Sequence, residues 1–294
     1  MTIKSVHMRL TFLKYFIIRM MVGFIISMTS ISVFAHEPIF GLGPHTIFKG
    51  GIGLEMEIER ESASNSNEKE RNLVFHNEII YGLTEDLAIT LALPYVLDRK
   101  SDAEGIGKSS SGLSDTSLRV KYRFWRRDRP GIQDAAAFII GIKFPTGDAD
   151  KNPRLGSGST DFLLGLAAGR ESLLWYYFGD IRYRVNKKGS AGLKVGDRFF
   201  ADVAIGIRPW PAEYLKPDLV VLAELNWETL MRNELDGLDV SNSGGNLLFL
   251  SPSFFLTYRN WAVKGGVQIP LYQNLYGNQP GEDYRFKLAV EIHF

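Results

Sequence analysis

The sequence predicts an all-β protein, a transmembrane antiparallel up-and-down β-barrel of about 12 strands behind a cleaved signal peptide. Three observations predict it. The stretch 284–294 alternates strictly, with Tyr284, Phe286, Leu288, Val290, Ile292 and Phe294 on one face and Arg285, Lys287, Ala289, Glu291 and His293 on the other. Successive side chains of a strand point to opposite faces, so this period marks a strand with one apolar and one polar side. Similar stretches recur along the chain, separated by alternately long and short connections. The first 35 residues have the form of an export signal.

That leader carries Lys4, Arg9, Lys14 and Arg19 and no acidic residue, then the apolar run Met20 to Met28, then Val33-Phe34-Ala35. A basic region, a short apolar region and a small-x-small site are the parts of a signal peptide, and the run is short for a spanning helix. Met8 is an alternative start. The expected organisation is residues 1–35 as signal peptide, 36–49 as a periplasmic N-terminal leader, and 50–294 as the barrel.

The strands follow in order. Gly50 to Glu59 sets Ile52, Leu54, Met56 and Ile58 against Glu55, Glu57 and Glu59, and a polar loop covers Arg60 to Arg71. Asn72 to Tyr81 turns at Gly82 to Asp86 into Leu87 to Tyr95, and Leu97 to Gly112 reads as a long loop. Thr116 to Phe124 turns near Pro130-Gly131 into Ala136 to Phe144, followed by a long loop from Pro145 to Gly158. Phe162 to Ala168 and Trp175 to Arg184 flank the tight turn at Arg170 to Ser172. Phe199 to Arg208 and Leu219 to Glu228 flank a connection holding Pro209, Trp210, Pro211 and Pro217. Leu248 to Tyr258 and Trp261 to Ile269 meet at Arg259-Asn260, and Tyr284 to Phe294 closes the set.

An even number of strands suits such a barrel, with short turns on the periplasmic side and long loops outside. Trp125, Trp175, Trp210 and Trp261 fall near the short turns, where an aromatic girdle belongs. After the leader no apolar run approaches the ~20 residues of a membrane helix. Only helices and closed barrels satisfy their own backbone in lipid, so a membrane location demands the barrel. The expected location is the bacterial outer membrane, reached through the periplasm. The expected partners are outer-membrane lipid, the barrel assembly machinery, with Phe294 as its assembly signal, and a small-molecule solute.

Composition excludes several classes. There is no cysteine, hence no disulfide, thiolate metal site or cysteine nucleophile. The leader takes four of the 34 basic residues and none of the 33 acidic ones, so the remainder is mildly acidic, with no nucleic-acid footprint. No nucleotide loop or redox motif suggests a cofactor. His76 and His293 have no serine and acid in step, and no enzyme is expected.

The inward face is charged. Its candidates for a conduit are Glu55, Glu57, Glu78, Arg119, Lys121, Arg123, Arg182, Asp202, Glu224, Arg285 and Lys287. If the barrel closes, Glu55, Glu57 and Glu59 belong beside Arg285 and Lys287. Such charges need water or one another. They suit either a structural ion-pair network or a polar conduit with acidic and basic walls. His36, His45 and His76 form a metal-binding option, set against a leader or small plug with incidental histidines.

Several segments resemble the outer-membrane transporter-like barrel family named for the meta-pathway of phenol degradation. They are Gly82-Leu83-Thr84-Glu85, Leu93-Pro94-Tyr95, Gly112-Leu113-Ser114-Asp115, Lys121-Tyr122-Arg123 and Lys143-Phe144-Pro145-Thr146-Gly147-Asp148. Gly156-Ser157-Gly158-Ser159, Asp161-Phe162 and the ending Asp283-Tyr284-Arg285 complete the set, in family order over residues 72 to 294. The resemblance implies a channel or transporter for hydrophobic or aromatic compounds and supplies no catalytic residues. The charged inner face, by contrast, reads as an ionic lumen rather than the apolar pocket that small apolar ligands prefer. The leading expectation is passive passage of small solutes. The alternatives are a structural or surface-interaction barrel with a plugged lumen, and a metal-linked outer-membrane component using the N-terminal histidines.

Overall fold

The structure, a computed structural model, describes residues 37–210 and 216–294. The expected signal peptide, His36 and Pro211 lie outside them. The chain runs β1 (Ile52–Ser64), β2 (Glu68–Gly82), β3 (Leu87–Ala92), β4 (Tyr95–Ala103), β5 (Ile106–Leu113), β6 (Ser117–Arg129), β7 (Ile132–Lys143), β8 (Asp161–Ser172) and β9 (Trp175–Val185). It continues through β10 (Leu193–Lys194), β11 (Arg198–Ile207), β12 (Asp218–Leu230), β13 (Glu234–Leu235), β14 (Leu238–Asp239), β15 (Gly245–Tyr258), β16 (Trp261–Leu275) and β17 (Gly281–His293).

Strands β3 and β4 are one barrel strand interrupted at Leu93-Pro94, since both pair with β2. Likewise β5 and β6 are one strand interrupted at residues 114–116. Proline has no N–H for the ladder, which explains the first break. Its carbonyl still accepts from the Ser114 N–H at 3.0 Å, so the wall holds. Twelve barrel strands result, all antiparallel. The first and last close the ring, with Gly53 opposite His293 and Glu59 opposite Lys287. Ile52 and Phe294 exchange two backbone hydrogen bonds at 3.1 and 2.8 Å. Strands β10, β13 and β14 form a small separate sheet among the loops.

Two expected loops are strand instead. Residues 60–71 are largely the ends of β1 and β2, and 97–112 the ends of β4 and β5. These hairpins extend past the apolar band, where both faces are polar and alternation carries no apolar signal. Their turns are tight. The Asn65 side chain accepts from the N–H groups of Asn67 and Glu68 at 2.8 and 2.7 Å. Glu104 and Gly105 both take positive φ, 53° and 81°, the requirement of a type I′ turn.

The molecule is apolar outside and polar within. Ile52, Leu54, Met56 and Ile58 of β1, and Ile140, Leu164 and Val203 farther round, are exposed. Glu57, Asp180, Asp202, Glu224, Asn226 and Ser251 are buried. Lipid takes the place of a core for the outer face, while every backbone polar group in the band must be paired within the protein. An apolar outer band around a polar interior is the arrangement of a membrane-spanning barrel. Trp125, Trp175, Trp210 and Trp261 are all exposed near the end with the short turns.

Candidate functional site: the lumen

The lumen is built in three levels. At the periplasmic end, residues 37–48, expected as a periplasmic leader, run inside the barrel. Glu224 of β12 accepts the N–H groups of Ile39, Phe40 and Gly41 at 2.9, 3.1 and 3.3 Å, and the Ser253 hydroxyl at 2.7 Å. Asp180 accepts the Leu42 N–H at 3.0 Å. The carboxylates thus satisfy backbone donors that no strand pairs. Ile39 packs into an inner-wall cluster of Tyr176, Phe178, Val220, Leu222 and Phe255, with Phe40 against it. The charge pattern predicts an ionic lumen, but several inward positions of β9, β12 and β15 near the periplasm are apolar, so it is not wholly ionic.

Glu37 completes the anchorage. Its carboxylate accepts two hydrogen bonds from Lys121 Nζ and one from the His45 N–H. Burial by itself raises the Glu37 carboxyl, but Lys121 and then His45 outweigh it and hold the group below its ordinary value. The His45 ring lies 3.1 Å from Glu171.

The middle level is a network of ion pairs. Glu78 takes Arg119 at 2.7 Å, and Arg182 bridges Asp180 and Asp202. Asn226 donates to Asp202, and Ser251 and Gln268 donate to Asn226. Arg123 sits lower, on Asp86 at the periplasmic turn. At the seam the structure sorts the expected partners differently. Lys287 lies 3.3 Å from Glu57 and 3.5 Å from Glu59. Glu55 instead binds Lys264 at 2.8 Å, and Arg285 turns to Glu228 at 2.6 Å and Glu282 at 2.9 Å. Lys287 thus reaches both the acid directly opposite and its diagonal neighbour, while Lys264 and Arg285 reach acids on strands they do not pair with.

Among the described residues, His45 and His76 do not converge. His45 is at Glu171, while His76 Nε2 lies 2.9 Å from Glu59. Glu57, Glu59 and His76 could together offer ligand atoms. The Lys287 ammonium already sits against both carboxylates, so the arrangement fits an ion-paired cluster better than a divalent metal.

At the outer level, the loop of residues 144–160 folds inward. Leu155 packs on Val74 and Val96. Its carbonyl accepts from Ser114 at 2.6 Å, and Asp115 accepts from the N–H groups of Gly147 and Ser157. Lys143 joins Asp115 and Asp161 at the loop's base. A cavity of about 800 Å³ remains, lined by residues of the N-terminal segment and by wall residues including Glu55, Arg119, Arg184 and Lys264.

Sequence reasoning missed Glu37, Asp180, Lys264 and Glu228 as network members. Three of them sit in step on inward faces and were findable. Glu37 was not, because the segment carrying it has no period.

Comparisons with known proteins agree with this architecture. An outer membrane channel from Pseudomonas putida F1 superimposes with a TM-score of 0.69 at 15% identity, over 88% of this chain and 100% of that one. The beta domain of the Bordetella autotransporter BrkA gives 0.50 at 13% identity, over 84% and 100%. At such identities the likeness is one of fold, which hosts more than one function. No curated protein matches the chain. A family model described as "Putative MetA-pathway of phenol degradation" matches residues 71–219, just over half of the sequence. The chain belongs to that family of outer-membrane barrels.

Proposed function

We propose that the protein is a passive outer-membrane channel for small solutes, with aromatic and hydrophobic compounds among them. The observation that carries this reading is the lumen itself. It keeps a cavity of about 800 Å³ between a charged wall and an apolar group made by Ile39, Phe40 and Ile47 of the N-terminal segment with Phe255 of the wall. Those apolar side chains offer an aromatic ring a contact surface inside an otherwise charged cavity. The P. putida structure is that of a channel, which supports the same reading. No reacting centre is invoked, and the protein is read as a channel and not an enzyme. Assembly through the barrel assembly machinery, with Phe294 as signal, belongs to the same proposal.

The N-terminal anchorage favours one competing reading, a structural barrel whose lumen stays closed. Single-channel recording in planar bilayers separates the two. The mature protein and a variant lacking residues 37–48 are compared. Discrete conductance steps in the first, larger in the second, are expected. A folded protein that never conducts in either form would sink the channel.

A further inference from the structure

We propose that Arg184 and Arg198 form a binding station for aromatic carboxylates on the solute path, which deepens the channel reading above and rests on it. The two arginines are directly opposite each other on β9 and β11. Both belong to the inward series, with Arg182 and Asp180 on one strand and Phe200 and Asp202 on the other. The Arg184 guanidinium lies 5.7 Å from the centre of the Phe200 ring and lines the cavity.

What sets them apart is the missing acid. Arg119, Lys121, Arg182, Lys264, Arg285 and Lys287 each have a carboxylate partner. Among the described residues, neither Arg184 nor Arg198 has an ion pair or a side-chain hydrogen bond. The acids nearby are already taken. Asp161 holds Lys143, the Lys187 N–H and Ser159. Glu228 accepts two hydrogen bonds from Arg285. Like charges directly opposite in a sheet repel, and half-buried guanidinium groups without an acceptor are costly. A carboxylate offers two oxygens to such forked donors and removes both costs at once.

The flanks select the rest of the molecule. Leu163 is opposite Arg184 on one side, and Leu230 is opposite Arg198 on the other. The row across four strands reads leucine, arginine, arginine, leucine, all on one inner face. Charge at the centre with apolar shoulders matches a compact amphiphilic anion. A hydrated inorganic ion gains nothing from the leucines, and a neutral phenol leaves the arginines unpaired.

Calorimetric titration of the purified mature protein in detergent tests this, with sodium benzoate, sodium acetate and benzyl alcohol as probes. Benzoate is expected to bind at least about tenfold tighter than either, the size of one charge-assisted contact set against a neutral one. Arg184→Gln and Arg198→Gln should each weaken benzoate by at least about tenfold while heat-modifiable gel migration stays normal. Arg184→Lys should recover part of the loss. Benzyl alcohol or acetate binding as tightly as benzoate to the unaltered protein overturns the station, as does undetectable benzoate binding. The first comparison needs no variant, so a misfolded mutant does not spoil it. A protein that conducts ions yet fails it loses the station and keeps the channel.

Discussion

Lys121 Nζ donates to both oxygens of the Glu37 carboxylate, at 2.8 and 3.1 Å. A wall residue therefore holds a residue of the N-terminal segment, and the hold depends on charge. The Glu37 carboxyl is below its ordinary value of 4.5 when docked, because burial raises it but Lys121 and then His45 lower it by more. A depressed carboxyl stabilises the docked form fully above the ordinary value and loses that contribution as pH falls through the lower one. Acid should therefore release residues 37–48. The chain has no cysteine, so Phe40→Cys gives a single thiol whose capture by a fast thiol reagent reports release. Release should begin below about pH 4.5, and Lys121→Met should move the midpoint upward. A midpoint unmoved by Lys121→Met counts against this pair as the anchor.

Glu224 carries the larger share of the same anchorage, because three consecutive N–H groups of the segment converge on it. Glu224→Ala leaves those donors in a pocket without an acceptor. Each unmade buried hydrogen bond costs about 1–3 kcal/mol, so the segment should leave the wall. The expected result is labelling of Phe40→Cys at neutral pH and more frequent open states in bilayers. Serine is not a substitute, since it cannot span the distance to three donors.

The seam supplies a stability test. Lys287 stands between Glu57 and Glu59 across the closing pair of strands. Lys287→Glu places a third acid there. Breaking a buried ion pair costs about 3–5 kcal/mol, so the temperature at which the folded band converts to the slow band on gels should drop. Arg285→Glu should act through Glu228 and Glu282 instead. The two effects should add if the sites are independent.

The fold was largely legible because lipid imposes a period. Outer positions such as Ile140 and Val203 must be apolar, their inward neighbours need not be, and alternation follows. Outside the lipid band that constraint ends, and the hairpins around Asn65 and Gly105 looked like loops. The site was legible only in part. Alternation identifies Glu55, Arg119 and Arg285 as inward but not which acid meets which base, because long side chains such as Lys264 and Arg285 reach past the adjacent strand. For the N-terminal segment the sequence left a leader or a small plug open, since its backbone N–H groups, not a side-chain period, fit it to Glu224.

A lipid-face substitution checks the outer half of that argument. Val203 is exposed at the middle of β11 and faces the bilayer. Arg at the midplane costs about 2–4 kcal/mol, falling towards zero near the interfaces. Val203→Arg should therefore lower the unfolding free energy in bilayers by that amount. Ile207→Arg, at the periplasmic end of the same strand, should cost less than half as much. Equal costs would mean that β11 does not cross the membrane along its length.

The last prediction concerns Phe294. Its N–H and C=O both bond to Ile52, the first residue of β1. Deleting it removes two ladder bonds at the point where the ring closes, as well as the terminal aromatic. Two bonds of about 1 kcal/mol each do not unfold a barrel of twelve strands. The loss should therefore appear in assembly rather than in the stability of protein already inserted. Outer-membrane levels of the deletion variant should fall severalfold in cells, while refolded variant in vesicles should melt close to the parent. Phe294→Tyr keeps the backbone bonds and the ring and should restore the levels. Phe294→Gly keeps only the bonds and should not. If Phe294→Gly assembles as well as the parent, the ring is not the signal, and the two bonds to Ile52 are what closure requires.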